Sequence, residues 1–249
     1  MLTEQTLNKL RAMKLRGMAQ AYQEQLGVAD VSSLSFDERL GLITDREELE
    51  RENKKFTSRL TRAKLRESSC LENVEFSAAR GLEKGLALTL RNMEWVKRCQ
   101  NILITGLTGV GKTYIACALL HEACRNGYTS RYVRLPRLLD EIALARADGR
   151  YPSMMTSLAK TQVLLLDDWG LSVLTEEQRR NVLEIIEDRY SLRSTIITSQ
   201  VPVDNWYDVI GESTLADAIM DRITSGSYRL DLKGPSRRPN RVQLTEERR

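Results

Sequence analysis

The fold is decided by the stretch NILITGLTGVGKTY, which runs from residue 101 to residue 114. It begins as a short apolar strand, and from Gly106 to Thr113 it satisfies the pattern G-x-x-x-x-G-K-[ST] before a helical pattern begins. The glycines allow a tight turn that brings backbone N–H groups, and the positive end of the following helix, close to phosphate oxygens. The stretch therefore predicts an α/β fold with a nucleotide phosphate site.

Nine consecutive residues are expected to contact the nucleotide. They are Gly106, Leu107, Thr108, Gly109, Val110, Gly111, Lys112, Thr113 and Tyr114. In such a loop the lysine places its charge on the β- and γ-phosphates, and the hydroxyl that follows it ligates Mg²⁺. We therefore predict ATP and Mg²⁺ as cofactors, with Lys112 as a catalytic residue and Thr113 as a metal ligand.

Two adjacent carboxylates, Asp167 and Asp168, follow the apolar run 163–166. We expect Asp167 to hold Mg²⁺ through water and Asp168 to orient or deprotonate the attacking water as a catalytic residue. Another strand ends at Ser199 and Gln200, and either side chain is expected to touch the γ-phosphate or the water. The pair of carboxylates favours hydrolysis over transfer to a small acceptor.

After about residue 100, short β-branched runs alternate with helical stretches, which is typical of a parallel sheet covered by helices on both faces. The predicted strands are 101–105, 130–135, 162–166, 194–198 and 228–232. The predicted helices are 112–125, 136–147, a helix capped by Thr175 that runs to Tyr190, and a helix capped by Ser213 or Thr214 that runs to Ile223.

The composition excludes several classes of protein. The chain has 249 residues, of which 41% are hydrophobic and 29% charged, as in an ordinary soluble globular protein. No apolar run approaches the roughly 18–20 residues that span a bilayer, so we expect no membrane partner. Four cysteines without C-x-x-C spacing and a single histidine argue against a zinc site, a disulfide scaffold and Ser-His-Asp chemistry. We predict a reduced, cytoplasmic chain.

Three regions differ in composition. Residues 1–70 are rich in Leu, Glu, Gln, Lys and Arg, which predicts a helical N-terminal domain that binds DNA or a partner. Residues 71–100 mix Ser, Gly and charge, and we interpret them as a linker that passes the base side of the nucleotide. Residues 101–249 form the predicted nucleotide-binding core, which ends in a basic tail.

Several motifs resemble those of known ATPases. The runs GLTGVGKT, LLLDD and IITSQVP together resemble the AAA+ ATPases. The runs PVDNW at 202–206, LADAIMDR at 215–222 and LKGPS at 232–236 are similar to those of IstB-type transposition helper ATPases, as is LRAMKLRGMA at 10–19. The related DnaC-type helicase loaders share the ATPase core but usually not this opening, so the resemblance to the IstB type covers nearly the whole chain.

This resemblance implies a five-stranded parallel sheet, ATP-dependent oligomerisation on duplex DNA, and cooperation with a bacterial transposase. It also implies a nucleotide held between subunits, with Arg222 of one subunit reaching the γ-phosphate of the next. Arg189 is a weaker candidate that we interpret as part of a structural ion pair. Because about 17 residues follow the last strand, we expect no full C-terminal lid, and Arg237 or Arg238 is a candidate to replace the lid arginine.

At one position the sequence departs from the AAA+ pattern in a way that affects the rate of ATP hydrolysis. AAA+ proteins generally carry glutamate where this chain has Asp168. Aspartate is one methylene shorter, so the attacking water is expected to sit differently and hydrolysis to be slow.

A basic run between Arg51 and Arg66 holds seven basic residues and one acidic residue. If the run is helical, five of these cations fall within an arc of about 80°, which suits contact with the DNA backbone. The predicted DNA-binding residues are Arg51, Lys54, Lys55, Arg59, Arg62 and Arg66. The alternative is a solvated helix face whose cations pair with the acidic run 45–52.

The sequence thus predicts an ATP-dependent DNA-binding ATPase that assists a transposase in target selection and transposition. A DnaC-like helicase loader is the nearest alternative, because it has the same chemistry. A binding module that uses ATP only for assembly, and a small-molecule kinase, are further alternatives.

Overall fold

The chain divides into two units, Met1–Ser58 and Arg59–Arg249, in a computed structural model that describes residues 2–27 and 33–237. The sequence places the boundary near residue 70, whereas the structure places it inside one long helix, α3 (Phe36–Ala63). A division within a continuous helix leaves no change in composition to mark it. None of the helices in the described ranges is long and apolar enough to cross a membrane.

The first unit is helical, as the sequence predicts. Its helices are α1 (Leu2–Ala12), α2 (Arg16–Gly27) and the first part of α3. A capping box opens α3, because the Ser35 N–H and hydroxyl donate to Glu38 Oε2 and the Glu38 N–H donates to Ser35 Oγ. Helix α2 packs closely on α3 at Gly17, where a Cβ atom would lie 2.7 Å from Arg46 O.

The second unit is built on one sheet of five parallel strands, in the order β2-β3-β4-β1-β5, which confirms the predicted fold class. The strands are β1 (Ile102–Gly106), β2 (Ser130–Arg134), β3 (Val163–Trp169), β4 (Ser194–Ser199) and β5 (Tyr228–Leu232). Alternate residues enter two separate hydrophobic cores: Ile104 and Leu165 lie in one, Leu103 and Leu164 in the other. Helices cover both faces, which explains the nearly continuous apolar runs of β1 and β3.

Helices of the second unit largely follow the predicted pattern. They are α4 (Lys84–Arg91), α5 (Glu94–Lys97), α6 (Lys112–Arg125), α7 (Leu135–Ala147), α8 (Tyr151–Lys160), α9 (Glu176–Glu187), α10 (Trp206–Ile210) and α11 (Ser213–Thr224). The capping box of Thr175 and Gln178 is confirmed at the start of α9. The expected cap of α11 is wrong: the Glu212 carboxylate accepts from the N–H groups of Thr214 and Leu215.

Residues 71–100 are part of the core of the second unit, so their interpretation as a linker is wrong. Leu82, Leu90, Met93 and Trp95 are buried there against residues of β1 and α6. The Trp95 indole N–H donates to Leu90 O at 2.9 Å. These apolar residues come from short helices and turns, so their spacing shows no single period that would reveal them in the sequence.

Candidate nucleotide site

The loop between β1 and α6 curves around a compact space at the carboxyl edge of the sheet. Two of its glycines are required by close contacts as well as by positive φ angles. A Cβ atom on Gly106 (φ 141°) would lie 2.4 Å from Leu232 O, and one on Gly109 (φ 88°) would lie 2.2 Å from Ser236 Oγ. The N–H of Arg237 also donates to Gly109 O at 2.9 Å. The segment after β5 therefore packs directly on the loop.

Gly109→Ala is expected to distort the loop and weaken nucleotide binding about tenfold or more, since a positive φ and a steric clash act together at this position. Isothermal titration with ATP measures the change. Gly127→Ala is the matched control, because Gly127 has a similar φ of 91° but a Cβ atom there would meet no described atom within 4 Å. Equal ATP affinity in the two variants would contradict the role of the contact with Ser236.

Lys112 begins α6 and lies over the loop. Its Nζ donates to Gly106 O at 2.7 Å and to Leu107 O at 2.9 Å, which places its charge inside the curve of the loop. Helix α6 also directs its N-terminus into the same space, so the amide N–H groups of its first turn add to the positive potential. Both features favour a phosphate chain.

Asp167 is buried beside the loop and accepts hydrogen bonds from three hydroxyl groups. Thr113 Oγ1 donates at 3.0 Å and Tyr132 OH at 2.9 Å, and Thr198 Oγ1 also donates to this carboxylate. Burial and the negative charge of Asp167 raise the pKa of Tyr132, so its phenol stays a donor. A carboxylate next to a hydroxyl is the hard-oxygen set that Mg²⁺ takes together with phosphate oxygens, so these residues fit that ion.

Asp168 has a left-handed backbone, with φ 64°, at an irregularity in the pairing of β3 with β4. Its carboxylate lies in the cavity and forms an ion pair with Arg134, whose Nε is 2.7 Å from Oδ2. Arg134 ends β2, the strand beside β3. No sequence pattern points to Arg134, because only the pairing of the strands brings the two residues together.

Gln200 follows β4 and faces the loop, where its Oε1 accepts from Thr108 Oγ1 at 2.7 Å. Ser199, the other candidate on this strand, is buried and donates to Trp169 O at 2.7 Å. Of the two candidates, Gln200 therefore lies beside the loop, whereas Ser199 does not.

A cavity of about 500 Å³ joins most of the predicted site residues. Those that line it are Thr108, Gly109, Gly111, Lys112, Thr113, Tyr114, Asp168 and Gln200. Nine residues are expected to contact the nucleotide, and two of them direct their side chains away from the cavity. Leu107 is exposed, and Val110 is buried in the hydrophobic core. In a phosphate loop both residues contribute through their backbone N–H groups.

Three arginines outside the motif also line this cavity: Arg66, Arg80 and Arg237. Arg80 donates to Glu75 O and Val110 O, at 2.8 and 3.1 Å, and burial lowers its pKa. Arg237 pairs with Glu75 at 2.6 Å. A group with three positive charges suits a polyphosphate, but these residues come from distant parts of the chain and carry no local signature.

Arg66 does not belong with the other predicted DNA-binding residues of the basic run. Helix α3 ends at Ala63, and Lys64 has a φ of 51°, so the chain leaves the helix before Arg66. The Arg66 guanidinium instead reaches the nucleotide cavity, where Nη1 is 3.8 Å from Asp167 Oδ2. The helical period that places five cations on one arc therefore does not apply to this residue.

Comparison with known proteins agrees with this site. A model of the family described as IstB-like ATP binding protein matches residues 8–244. The chain belongs to this family. It is 46% identical over 240 residues to a protein of Sinorhizobium fredii named as a putative insertion sequence ATP-binding protein, covering 96% of this chain and 98% of that one. It is 47% identical to the putative ATP-binding protein of insertion sequence IS1162 of Pseudomonas fluorescens, covering 81% and 88%.

Solved structures share the fold of this IstB-like chain over about two thirds of its length. The DnaC helicase loader superposes with a TM-score of 0.56 at 24% identity, covering 66% of this chain and 97% of that one. AMPPCP-bound DnaA from Aquifex aeolicus superposes with a TM-score of 0.58 at 20% identity, covering 68% and 51%. At these identities the likeness concerns the fold alone.

Arg222 of the IstB-like chain lies at the opposite edge of the sheet from its phosphate loop. Its carbonyl oxygen accepts from the side chain of Asn101, which precedes β1, whereas Gly106 ends that strand. Its guanidinium pairs with Glu187 at 3.0 Å and is 26% exposed. Arg222 does not line the nucleotide cavity of its own chain.

Arg189 is buried, but within the described ranges it is not part of an ion pair, so that interpretation is wrong. Its guanidinium donates to three carbonyl oxygens and one hydroxyl, those of Leu158, Thr161, Ser194 and Thr195. Burial, followed by the charge of Arg193, lowers the pKa of this arginine. Arg189 is therefore a structural residue that ties the end of α8 to β4.

The remaining predicted DNA-binding residues are spread over both units. Arg51, in the first unit, pairs with Glu47 at 2.7 Å, as the alternative of a solvated helix face expects. Lys54 and Lys55 are exposed. In the second unit, Arg59 Nε donates to Cys124 O at 2.8 Å. Arg238 lies outside the described residues.

Proposed function

We propose that this IstB-like chain is an ATPase that assembles on duplex DNA and assists the transposase of its insertion sequence in target selection. The observation that carries the proposal is the nucleotide cavity, where Lys112, Thr113 and the two carboxylates meet at one edge of the sheet. The names of the relatives, which are insertion sequence ATP-binding proteins, support the link to transposition. We place the protein in the bacterial cytoplasm, where DNA and ATP are both present.

In this proposal, Thr113 and Asp167 hold Mg²⁺, and Lys112 binds the β- and γ-phosphates. When bound, Mg²⁺ neutralises charge that develops on the phosphate oxygens. Asp168 lies across the cavity and orients or deprotonates the water, while Arg134 fixes the position of its carboxylate. Gln200 reaches toward the γ-phosphate, and Arg237 takes the place of a lid arginine.

The location of Arg222 supports assembly. Its guanidinium offers fixed donors to a nucleotide that is bound by a second subunit. ATP would therefore join the two subunits, and hydrolysis would release them. The first unit, together with the residues up to about 70, would contact DNA or the transposase. The proposed DNA contacts are Arg51, Lys54 and Lys55 of the first unit and Arg59 and Arg62 of the second, while Arg66 is reassigned to the nucleotide cavity.

Electron microscopy of the protein with duplex DNA tests the proposal as a whole. We expect ordered assemblies with DNA and ATP, and separate subunits with DNA and ADP. Assemblies that form equally with both nucleotides would contradict the proposed switch. Tight binding to a replicative helicase, with no assembly on DNA, would instead favour a DnaC-like loader.

Arg222→Ala is expected to lower phosphate release about 10³-fold or more while leaving ATP affinity unchanged. The reason is that the guanidinium contributes to the neighbouring site rather than to its own. Mixing Arg222→Ala subunits with Lys112→Ala subunits should restore part of the activity, because one type of interface then contains both residues. Phosphate release measures both effects.

Glu187→Gln is the control for this experiment, because it removes the partner of Arg222 but keeps the guanidinium. We expect it to retain activity. If the mixture of Arg222→Ala and Lys112→Ala stays inactive, the role of Arg222 in a neighbouring site is wrong.

A further inference from the structure

A second concave site lies in the second unit, away from the nucleotide cavity. It has a volume of about 390 Å³ and lies between the end of α3, the start of β2 and the end of α8. Its cations are Arg59, Arg62, Lys64 and Arg131, and the remaining lining residues carry hydroxyl groups: Thr129, Ser130, Ser157 and Thr161. We name this site the basic hollow. Among the described residues, it shares no lining residue with the nucleotide cavity.

Within the described ranges, the cations of the basic hollow have no carboxylate partner. Over residues 2–27 and 33–237, no Asp or Glu oxygen lies within 4.0 Å of Arg59, Arg62, Lys64 or Arg131. Other arginines of the unit, such as Arg125 and Arg134, have such partners. Four cations around one concavity repel each other, so a bound anion would relieve this repulsion.

One of these cations is held in place by the fold. Arg59 Nε donates to Cys124 O at 2.8 Å, near the end of α6. Arg131 belongs to β2, where it pairs in register with Leu164 of β3. The backbone that carries these charges is therefore part of the folded core, and a preorganised cationic site loses less entropy when it binds an anion.

The lining indicates which anion fits. Arginine, lysine, serine and threonine side chains are those that proteins use to contact DNA phosphates. Within the part of the chain that the structure describes, no aromatic side chain lines the hollow, so it offers no surface on which a base could stack. The lining therefore fits a phosphate backbone better than a nucleotide base or a single strand held by stacking.

We infer that the basic hollow binds a segment of the phosphodiester backbone of duplex DNA, with Arg131 and Lys64 as contacts in addition to Arg59 and Arg62. This inference rests on the proposed function, which takes duplex DNA as a partner. In place of the last cations of the predicted helical arc, it gives a site built from α3, β2 and α8. Binding of this kind is insensitive to base sequence and strongly dependent on salt.

Titration of the full chain with a labelled duplex, in the presence of ATP and at several salt concentrations, tests the inference. The double variant Lys64→Gln/Arg131→Gln should bind about tenfold more weakly at moderate salt. The slope of log K against log salt should become shallower by about 1.8, since two phosphate contacts are lost. Its ATP affinity should be unchanged, because the nucleotide cavity is separate.

The control variant is Arg137→Gln/Arg180→Gln, which removes the same charge from two exposed arginines that have carboxylate partners of their own. It should keep the affinity and salt slope of the wild type. If the wild-type protein binds DNA and the two double variants have the same affinity and salt slope, the inference that the basic hollow binds DNA is wrong, while the proposed function stands. Failure of wild-type protein to bind duplex DNA would overturn the proposed function as well.

Polyglutamate in the same titration separates DNA from an acidic protein as the occupant. We expect it to bind wild-type and variant protein with equal, low affinity. Binding of polyglutamate that is tighter than binding of the duplex, and that is lost in Lys64→Gln/Arg131→Gln, would assign the hollow to an acidic partner and overturn the inference.

Discussion

Asp168→Asn is expected to lower ATP hydrolysis by about 10²–10⁴-fold, the usual contribution of a general base. Asparagine keeps the size of the side chain but loses the charge that pairs with Arg134 and attracts a water proton. Phosphate release with saturating ATP and duplex DNA measures the loss. DNA-dependent assembly should persist, since Lys112, Thr113 and Asp167 are unchanged.

Two further variants make this result specific. Asp140→Asn removes an exposed carboxylate on α7, outside the nucleotide cavity, and should hydrolyse ATP at the wild-type rate. Asp168→Glu restores the charge on a longer arm and should recover hydrolysis, because a glutamate at this position is the usual AAA+ choice. Recovery by glutamate would separate a chemical role of the carboxylate from a role in packing.

The outcome also distinguishes the alternative functions. If Asp168→Asn hydrolyses ATP at the wild-type rate, the assignment of Asp168 is wrong. If the wild-type protein releases no phosphate but still assembles on DNA with ATP, the chain is a binding module that uses ATP only for assembly. A chain that transfers phosphate to a small molecule and ignores DNA would be a kinase.

The part of the site that the sequence predicts is the part that is contiguous along the chain. Lys112 and Thr113 follow one strand, and Asp167 and Asp168 end another, so local spacing is enough to find them. Arg134, in contrast, reaches Asp168 only because β2 pairs with β3. Sequence spacing does not encode which strands are neighbours.

The errors have physical causes of the same kind. Helix α3 ends at Ala63 with no glycine or proline to mark its end, so a helical period extended to Arg66 is wrong. Helix α8 escapes prediction because it is only 10 residues long and its N-cap, Arg150, is not one of the usual capping residues. Trp95 falls in a predicted linker because short helices bury it without a regular period.

Arg189→Leu is expected to destabilise the second unit by at least about 2 kcal/mol. Leucine fills much of the space but removes the guanidinium donor from the carbonyl oxygens of Thr161 and Ser194, whereas Leu158 O still accepts from the Thr161 N–H. Each unsatisfied buried group costs about 1–3 kcal/mol, which is a large share of the roughly 5–15 kcal/mol that stabilises a typical protein. Urea unfolding followed by circular dichroism measures the change.

Arg189→Lys is the matched variant, because lysine keeps the charge but cannot span the same acceptors with its single ammonium group. We expect a smaller loss of stability than with leucine. An unchanged unfolding midpoint for Arg189→Leu would show that these hydrogen bonds make no net contribution to the free energy of unfolding.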